Sequence, residues 1–112
     1  MVLIYKTIDV GTVSAGATEE GNVSSDDQYT LKYVIAVEKG GTDLYNVTAT
    51  LRIDDFTFTK DKIPLSILQR PVNQLLELNY DFTKGKTLYY SITNNLTSDV
   101  NIFLVLVLEL PE

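Results

Sequence analysis

The side chains of this sequence that could do chemistry are carboxylates, hydroxyls and amides, because it contains no histidine and no cysteine. The commonest general base, the commonest metal ligand, thiolate metal sites and disulfides are therefore all missing. Catalysis would need a serine with a lysine, or two acids in a cleft, and no motif of either kind stands out. We expect a protein that is not an enzyme and carries no cofactor.

Three pairs of neighbouring acids are the candidates for a metal site. They are Glu19-Glu20, Asp26-Asp27 and Asp54-Asp55. Loop carboxylates can bind Ca²⁺, but this ion takes about six to eight oxygen ligands, and no Asp-x-Asp-x-Asp spacing is present. We interpret the pairs as solvated turn residues that keep the protein soluble and protect sheet edges, and we predict no metal site.

Tyrosine is the other abundant functional residue, with seven copies against no tryptophan. Flat rings can stack on sugars, which would make the chain a carbohydrate- or receptor-binding module. The alternation of the strands places four tyrosines inward, as core residues with hydroxyls near the sheet rim. The inward set is Tyr29, Tyr33, Tyr45 and Tyr90, and the candidates for exposure are Tyr5, Tyr80 and Tyr89.

Three asparagines stand in Asn-x-Ser/Thr sequons, the acceptor motif for N-linked glycans. These are Asn22, Asn46 and Asn95. The motif is short and arises by chance in a chain rich in serine and threonine, so an unmodified chain is the simpler interpretation. The strand pattern predicts that Asn46 lies on an outward face and Asn95 in a turn, where a glycan could be attached.

Composition limits the classes of protein to which this chain can belong. It has 112 residues, 45% of them hydrophobic, and a net charge of −6. Its length predicts a single domain, residues 1–112. The negative charge argues against nucleic acid as a partner and against docking on an anionic membrane. The start, residues 1–9, is apolar but brief, and it lacks the basic region and the full-length apolar region of a signal peptide. No stretch is apolar for long enough to insert in a membrane as a helix.

Period-two alternation of apolar residues predicts strands along most of the chain. Residues 10–17 are small and turn-prone, and residues 18–27 fit an edge hairpin or a surface loop. No amphipathic helix is evident. The pattern predicts an all-β fold, an antiparallel β-sandwich of about seven to nine strands, either jelly-roll-like or immunoglobulin-like. The predicted strands are residues 2–9, 28–38, 44–54, 56–59, 63–68, 75–82, 87–93 and 99–110.

The order of several phrases resembles a known family. A small-residue stretch, Val13-Ser14-Ala15-Gly16, is followed by Thr50-Leu51-Arg52-Ile53-Asp54, Ile63-Pro64-Leu65-Ser66-Ile67, Phe82-Thr83-Lys84-Gly85-Lys86-Thr87-Leu88 and Ser91-Ile92-Thr93-Asn94-Asn95. From about Val13 onward the chain is similar to small single jelly-roll structural proteins of archaeal virus and phage particles. The resemblance implies a capsid, vertex or decoration subunit in a symmetric oligomer, located in the virion, and supplies no catalytic residues.

The last predicted strand, residues 99–110, is the most apolar stretch of the chain and should be central. Its even-numbered face is wholly apolar, and its second face is also apolar in the middle. Because one face of each sheet should be wet, apolar residues there predict a contact patch. A covering loop near Pro71 is the alternative. The predicted oligomer interface consists of Phe103, Val105 and Val107, with Val34 and Ala36 from the second face of a neighbouring strand.

We therefore predict a non-enzymatic structural subunit, a viral capsid or virion surface protein that acts through self-assembly. Its expected partners are further copies of itself and other virion proteins. The alternative is the carbohydrate- or receptor-binding β-sandwich, which would be extracellular or on a cell surface.

Overall fold

The computed structural model describes residues 2–59, 61–75 and 77–111. Within them the chain forms nine strands and two short 3₁₀ turns. The 3₁₀ turns span Leu65–Leu68 and Val72–Gln74. The strands are β1 (Val2–Val13), β2 (Thr18–Ser24), β3 (Tyr29–Glu38), β4 (Val47–Ile53), β5 (Phe56–Thr57), β6 (Ile63–Pro64), β7 (Tyr80–Phe82), β8 (Thr87–Asn94) and β9 (Val100–Leu110).

The strands make two antiparallel sheets. One has the order β1-β9-β3-β7, and the other has the order β2-β8-β4-β5, with the two-residue β6 also pairing with β4. We call them the β9 sheet and the β8 sheet. Without β6, this is the eight-strand order of a jelly roll and not that of an immunoglobulin sandwich. The predicted antiparallel β-sandwich is confirmed.

The core lies between the sheets and is centred on β9. Ile102, Leu104, Leu106 and Leu108 of β9 are each at most 1% exposed. They belong to one cluster with residues of β4 and β8, the central strands of the other sheet. Burying one such side chain stabilises the fold by about 2 kcal/mol. β9 is also paired on both edges, with β1 and with β3, so the predicted central role of this strand is confirmed.

β1 is longer than the sequence predicts, because residues 10–13 continue the strand instead of forming a turn. The register with β9 shifts between Asp9 and Gly11, and Gly11 has a φ of 82°. A glycine adopts this conformation without the steric cost that a side chain would add. The bulge turns both Val10 and Val13 into the core, so a small-residue stretch still serves as a strand.

β3 contains a second bulge, which overturns part of the predicted interface. The register with β9 shifts between Leu31 and Tyr33. One extra residue moves every later side chain to the opposite face of the sheet. Val34 and Ala36, which we predicted to face outward, are therefore buried in the core at 2% exposure each. Tyr33 was predicted inward and takes the outward position instead.

The crossover between β5 and β7 is less regular than the alternation predicts. The predicted strand at residues 63–68 is a strand only at Ile63–Pro64, and the one at residues 75–82 only at Tyr80–Phe82. Pro64 and Pro71 lack the amide hydrogen that a continuous ladder requires. Leu76, a residue of the second prediction, lies outside the described residues. Tyr45, predicted inward, precedes β4 and is 67% exposed.

Asn94 fastens one end of the sandwich. Its side chain is fully buried, and its amide donates to the carbonyls of Val13 at 3.0 Å and Ser98 at 2.9 Å. Its side-chain oxygen accepts from the amide of Leu96 at 2.9 Å. One side chain thus joins the end of β1 to the connection between β8 and β9.

Glu38 fastens the start of β9 to the loop after β3. Its carboxylate accepts backbone N–H bonds from Asn101 at 2.8 Å, Gly40 at 2.6 Å and Thr42 at 3.0 Å. The bond from Asn101 is the largest cause that holds the pKa of Glu38 below its ordinary value, and burial opposes it. Hydrogen bonds to the ionised form favour that form.

We expect Asn94→Ala to lower the free energy of unfolding by about 2–4 kcal/mol, because it leaves buried carbonyls and an amide unpaired. The exposed neighbour provides a control, since Asn95→Ala should change stability by less than about 0.5 kcal/mol. Urea unfolding followed by circular dichroism measures both. Equal stability of the two variants would contradict the role of Asn94.

Glu38→Gln should destabilise the protein by about 2 kcal/mol at neutral pH. Because the folded pKa is lowered, the carboxylate stabilises the fold above its unfolded pKa, and this contribution is lost as pH falls through the folded pKa. The gap between wild type and variant should therefore close in acid. Unfolding at a series of pH values tests this, with Glu20→Gln at an exposed strand position as the control. A gap that is independent of pH would refute the assignment.

Candidate functional site

The two outer faces of the sandwich differ in chemistry. The outer face of the β8 sheet is covered with hydroxyls, and some pair across strands, as do Thr18 with Thr93 at 2.8 Å and Ser24 with Thr87 at 3.0 Å. Such a face is readily hydrated. The outward hydroxyl residues of β2, β4 and β8 are Thr18, Ser24, Thr48, Thr50, Thr87, Ser91 and Thr93.

The outer face of the β9 sheet is mainly apolar. Three strands bring the side chains together, because Val107 pairs with Tyr5 and Tyr33. In the next two rows β9 and β3 remain apolar, but β1 contributes the polar residues Thr7 and Asp9. We define the outer apolar patch as Leu3 and Tyr5 of β1, Tyr33, Ile35 and Val37 of β3, and Phe103, Val105 and Val107 of β9.

Much of the outer apolar patch is open to solvent. Tyr5 is 65% exposed, Leu3 47% and Val37 40%. Val107 is only 1% exposed, in the row between Tyr5 and Tyr33. The centre of the patch is thus buried within the chain, while its margins are open to solvent. Exposed apolar areas of this kind mark interaction sites.

Charged groups close both ends of the patch. At one end Lys32, the bulge residue of β3, forms ion pairs with Glu77 and, at 3.6 Å, with Glu109. The hydrogen bond to Glu77 is the largest cause that raises the pKa of Lys32. At the other end the ammonium of Lys39 lies 4.6 Å from the centre of the Phe103 ring. An apolar centre with a polar rim is the usual anatomy of a protein interface.

The predicted interface contains three of the eight residues of the outer apolar patch. Phe103, Val105 and Val107 lie on the predicted outward face of β9. Val34 and Ala36 do not join them, and the actual β3 contribution is Tyr33, Ile35 and Val37. Lys32 shares the predicted outward face with Val34 and Ala36, so nothing in the local sequence indicated a bulge there.

A cleft on the outer face of the β8 sheet is the second candidate site. It has a volume of about 470 Å³. The Arg52 guanidinium stacks 3.8 Å from the centre of the Tyr89 ring. Tyr89 was predicted to be a candidate for exposure and is half-buried here. The other polar side chains around the cleft are Glu20, Asn22, Thr50, Thr57 and Ser91.

The acid pairs do not converge. Asp26-Asp27 and Asp54-Asp55 lie between strands as predicted, whereas Glu19-Glu20 lies within the edge strand β2 and not in a turn. Asp54 accepts from the amide of Thr87 at 3.0 Å, and Asp27 accepts from the amide of Gln28 at 2.7 Å. Among the described residues no three acids come together as a metal site. All three sequon asparagines are exposed, and the amide of Asn95 donates to the carbonyl of Asn46 at 3.1 Å.

In the part of the chain that the structure describes, no helix has the length and apolar character needed to cross a membrane. No family model, curated protein or solved structure matches this chain.

Proposed function

We propose that this protein is a structural subunit that assembles with copies of itself through the outer apolar patch. The observation that carries the proposal is the exposure of Leu3, Tyr5 and Val37 beside the half-buried Phe103 and Val105. Leaving such a surface in water costs free energy, roughly in proportion to its apolar area, and contact with a second patch would recover it.

The size of the patch fits the centre of an interface. Strand spacing and rise give three strands of about seven residues a projected area of about 300 Å². A stable interface buries about 800 Å² on each partner, so the charged ends and Thr7 would form its rim. The outer face of the β8 sheet is covered with hydroxyls and can remain in water. This contrast supports the outer face of the β9 sheet as the one that contacts a second copy.

We propose further that the assembly formed by this subunit is a virus particle. Its support is the jelly-roll strand order, an architecture that viral capsid proteins use, together with the phrases that resemble small virion jelly rolls. The same architecture also occurs in lectins, so the fold alone does not decide between them. Neighbours in the particle would be further copies and other virion proteins.

Val105→Asp should dissociate the assembly while leaving the strands intact, because it places a charge at the centre of the patch on a partly exposed position. Phe103→Asp should act in the same way. Size exclusion with light scattering over a concentration series measures the mass, and circular dichroism reports the fold. Ser91→Asp, on the opposite outer face, is the matched control and should keep the wild-type mass.

A wild-type chain that is monomeric at every concentration would refute self-assembly. So would a Ser91→Asp variant that dissociates as fully as Val105→Asp, since the β9 sheet would then have no special role.

A second candidate function is saccharide binding at the cleft beside Tyr89. The observation in its favour is an aromatic ring among a guanidinium, a carboxylate and an amide, which can stack on a sugar and bond its hydroxyls. Tyr89→Ala should abolish binding on a glycan array, and Tyr45→Ala, which removes an exposed ring elsewhere, should not. Chelation should have no effect, because the cleft offers no acid cluster among the described residues. Absence of glycan binding by a self-associating wild type would exclude this function in favour of the first.

A further inference from the structure

An apolar cavity of about 430 Å³ lies at the open side of the sandwich, beneath the crossover between β5 and β7. Its floor is formed by Val34 of β3 and Leu51 of β4, which belong to opposite sheets. Its walls come from the crossover, whose apolar side chains here are Phe58, Ile63, Ile67, Leu68, Leu75 and Leu78. The cavity is separate from the outer apolar patch, which lies on the other side of the β9 sheet.

The polar groups of the cavity have a simple arrangement. The buried hydroxyl of Thr59 accepts from the amide of Leu51 at 3.0 Å, so it has a partner within the fold. Arg70 and Gln74 are exposed and supply polar ends at the opening. A mainly apolar concavity with few polar groups is the usual form of a small-molecule site, and its volume is within the usual range.

Among the described residues that line the cavity, Arg70 is the one that carries a charge. Within the described residues, no carboxylate forms an ion pair with its guanidinium. It also borders a shallow polar depression that includes Asp43 and Gln69. A guanidinium presents paired donors that match a carboxylate. The opening of the cavity is therefore suited to the anionic head group of a ligand.

We propose that this cavity binds the aliphatic chain of a single-chain carboxylate amphiphile, with its carboxylate on Arg70. The walls bury the hydrocarbon and the cation fixes the head, so both chemical features of the site are used. This inference does not depend on self-assembly, because no residue of the outer apolar patch lines the cavity.

Calorimetric titration of the full chain with dodecanoate, below its micelle concentration, tests the proposal. We expect saturable binding of one ligand per chain. Arg70→Gln should weaken dodecanoate by about threefold to tenfold and leave dodecanol unchanged, since only the acid uses the guanidinium. Arg52→Gln, which removes the cation of the β8 face, is the matched control and should bind dodecanoate as wild type does.

Ile67→Asp provides the second test. Ile67 is 45% exposed, so the substitution should be tolerated by the fold, and it should abolish binding of both ligands. Absence of saturable dodecanoate binding by wild type would overturn the proposal, as would binding that neither Arg70→Gln nor Ile67→Asp affects. Loss of oligomer mass in Ile67→Asp without dodecanoate binding by wild type would show that a second copy occupies the cavity, and would equally overturn it.

Discussion

The structure depends on β9 having neighbours on both edges and on its inner face at once. β1 supplies one edge from the beginning of the chain, and Val2 pairs with Leu110. β3 supplies the other edge, and the second sheet covers the inner face. Because these partners are far away in sequence, the loop-closure entropy must be lost before β9 is stabilised, a situation typical of slowly folding β-sandwiches. The buried polar groups of Asn94 and Glu38 hold the two strands that flank β9 in place, one at the end of β1 and one at the end of β3.

The period-two pattern was sufficient to predict the class, most strands and the central position of β9, because burial on one face imposes alternation directly. It failed where the backbone itself changes the pattern. The bulge at Lys32 reverses the faces of β3, so Val34 and Ala36 lie in the core although their alternation with Tyr33 and Ile35 is regular. Gly11 has the opposite effect and lets an apparent turn continue as strand. Which of two equally apolar faces is buried depends on the register with a distant strand, and a local pattern does not contain that information.

The contribution of β3 to the outer apolar patch results from the bulge at Lys32. Both faces of β3 are apolar enough to be buried, so a bulge could exchange them without destroying the core. The exchange places the larger side chains on the outer face, where Tyr33 and Ile35 extend the outer apolar patch beyond β9. The β8 sheet has no such ambiguity, because most of its outward positions are polar, with threonines and serines the most numerous. In a protein with one hydrated outer face and one apolar outer face, the apolar face is the one that would turn towards a partner. The cavity under the crossover is a separate site and would admit only a ligand narrow enough to enter between the sheets.

The pairing of β1 with β9 has a mechanical consequence. The beginning of β1 and the end of β9 lie side by side, since Val2 is opposite Leu110 and Val13 is opposite Val100. A pulling force applied to these two ends would open the hydrogen bonds one after another, as in a zipper, instead of shearing the whole ladder together. The sandwich should therefore yield at low tension when it is pulled at that corner. Load carried across the broad faces would be spread over several strands.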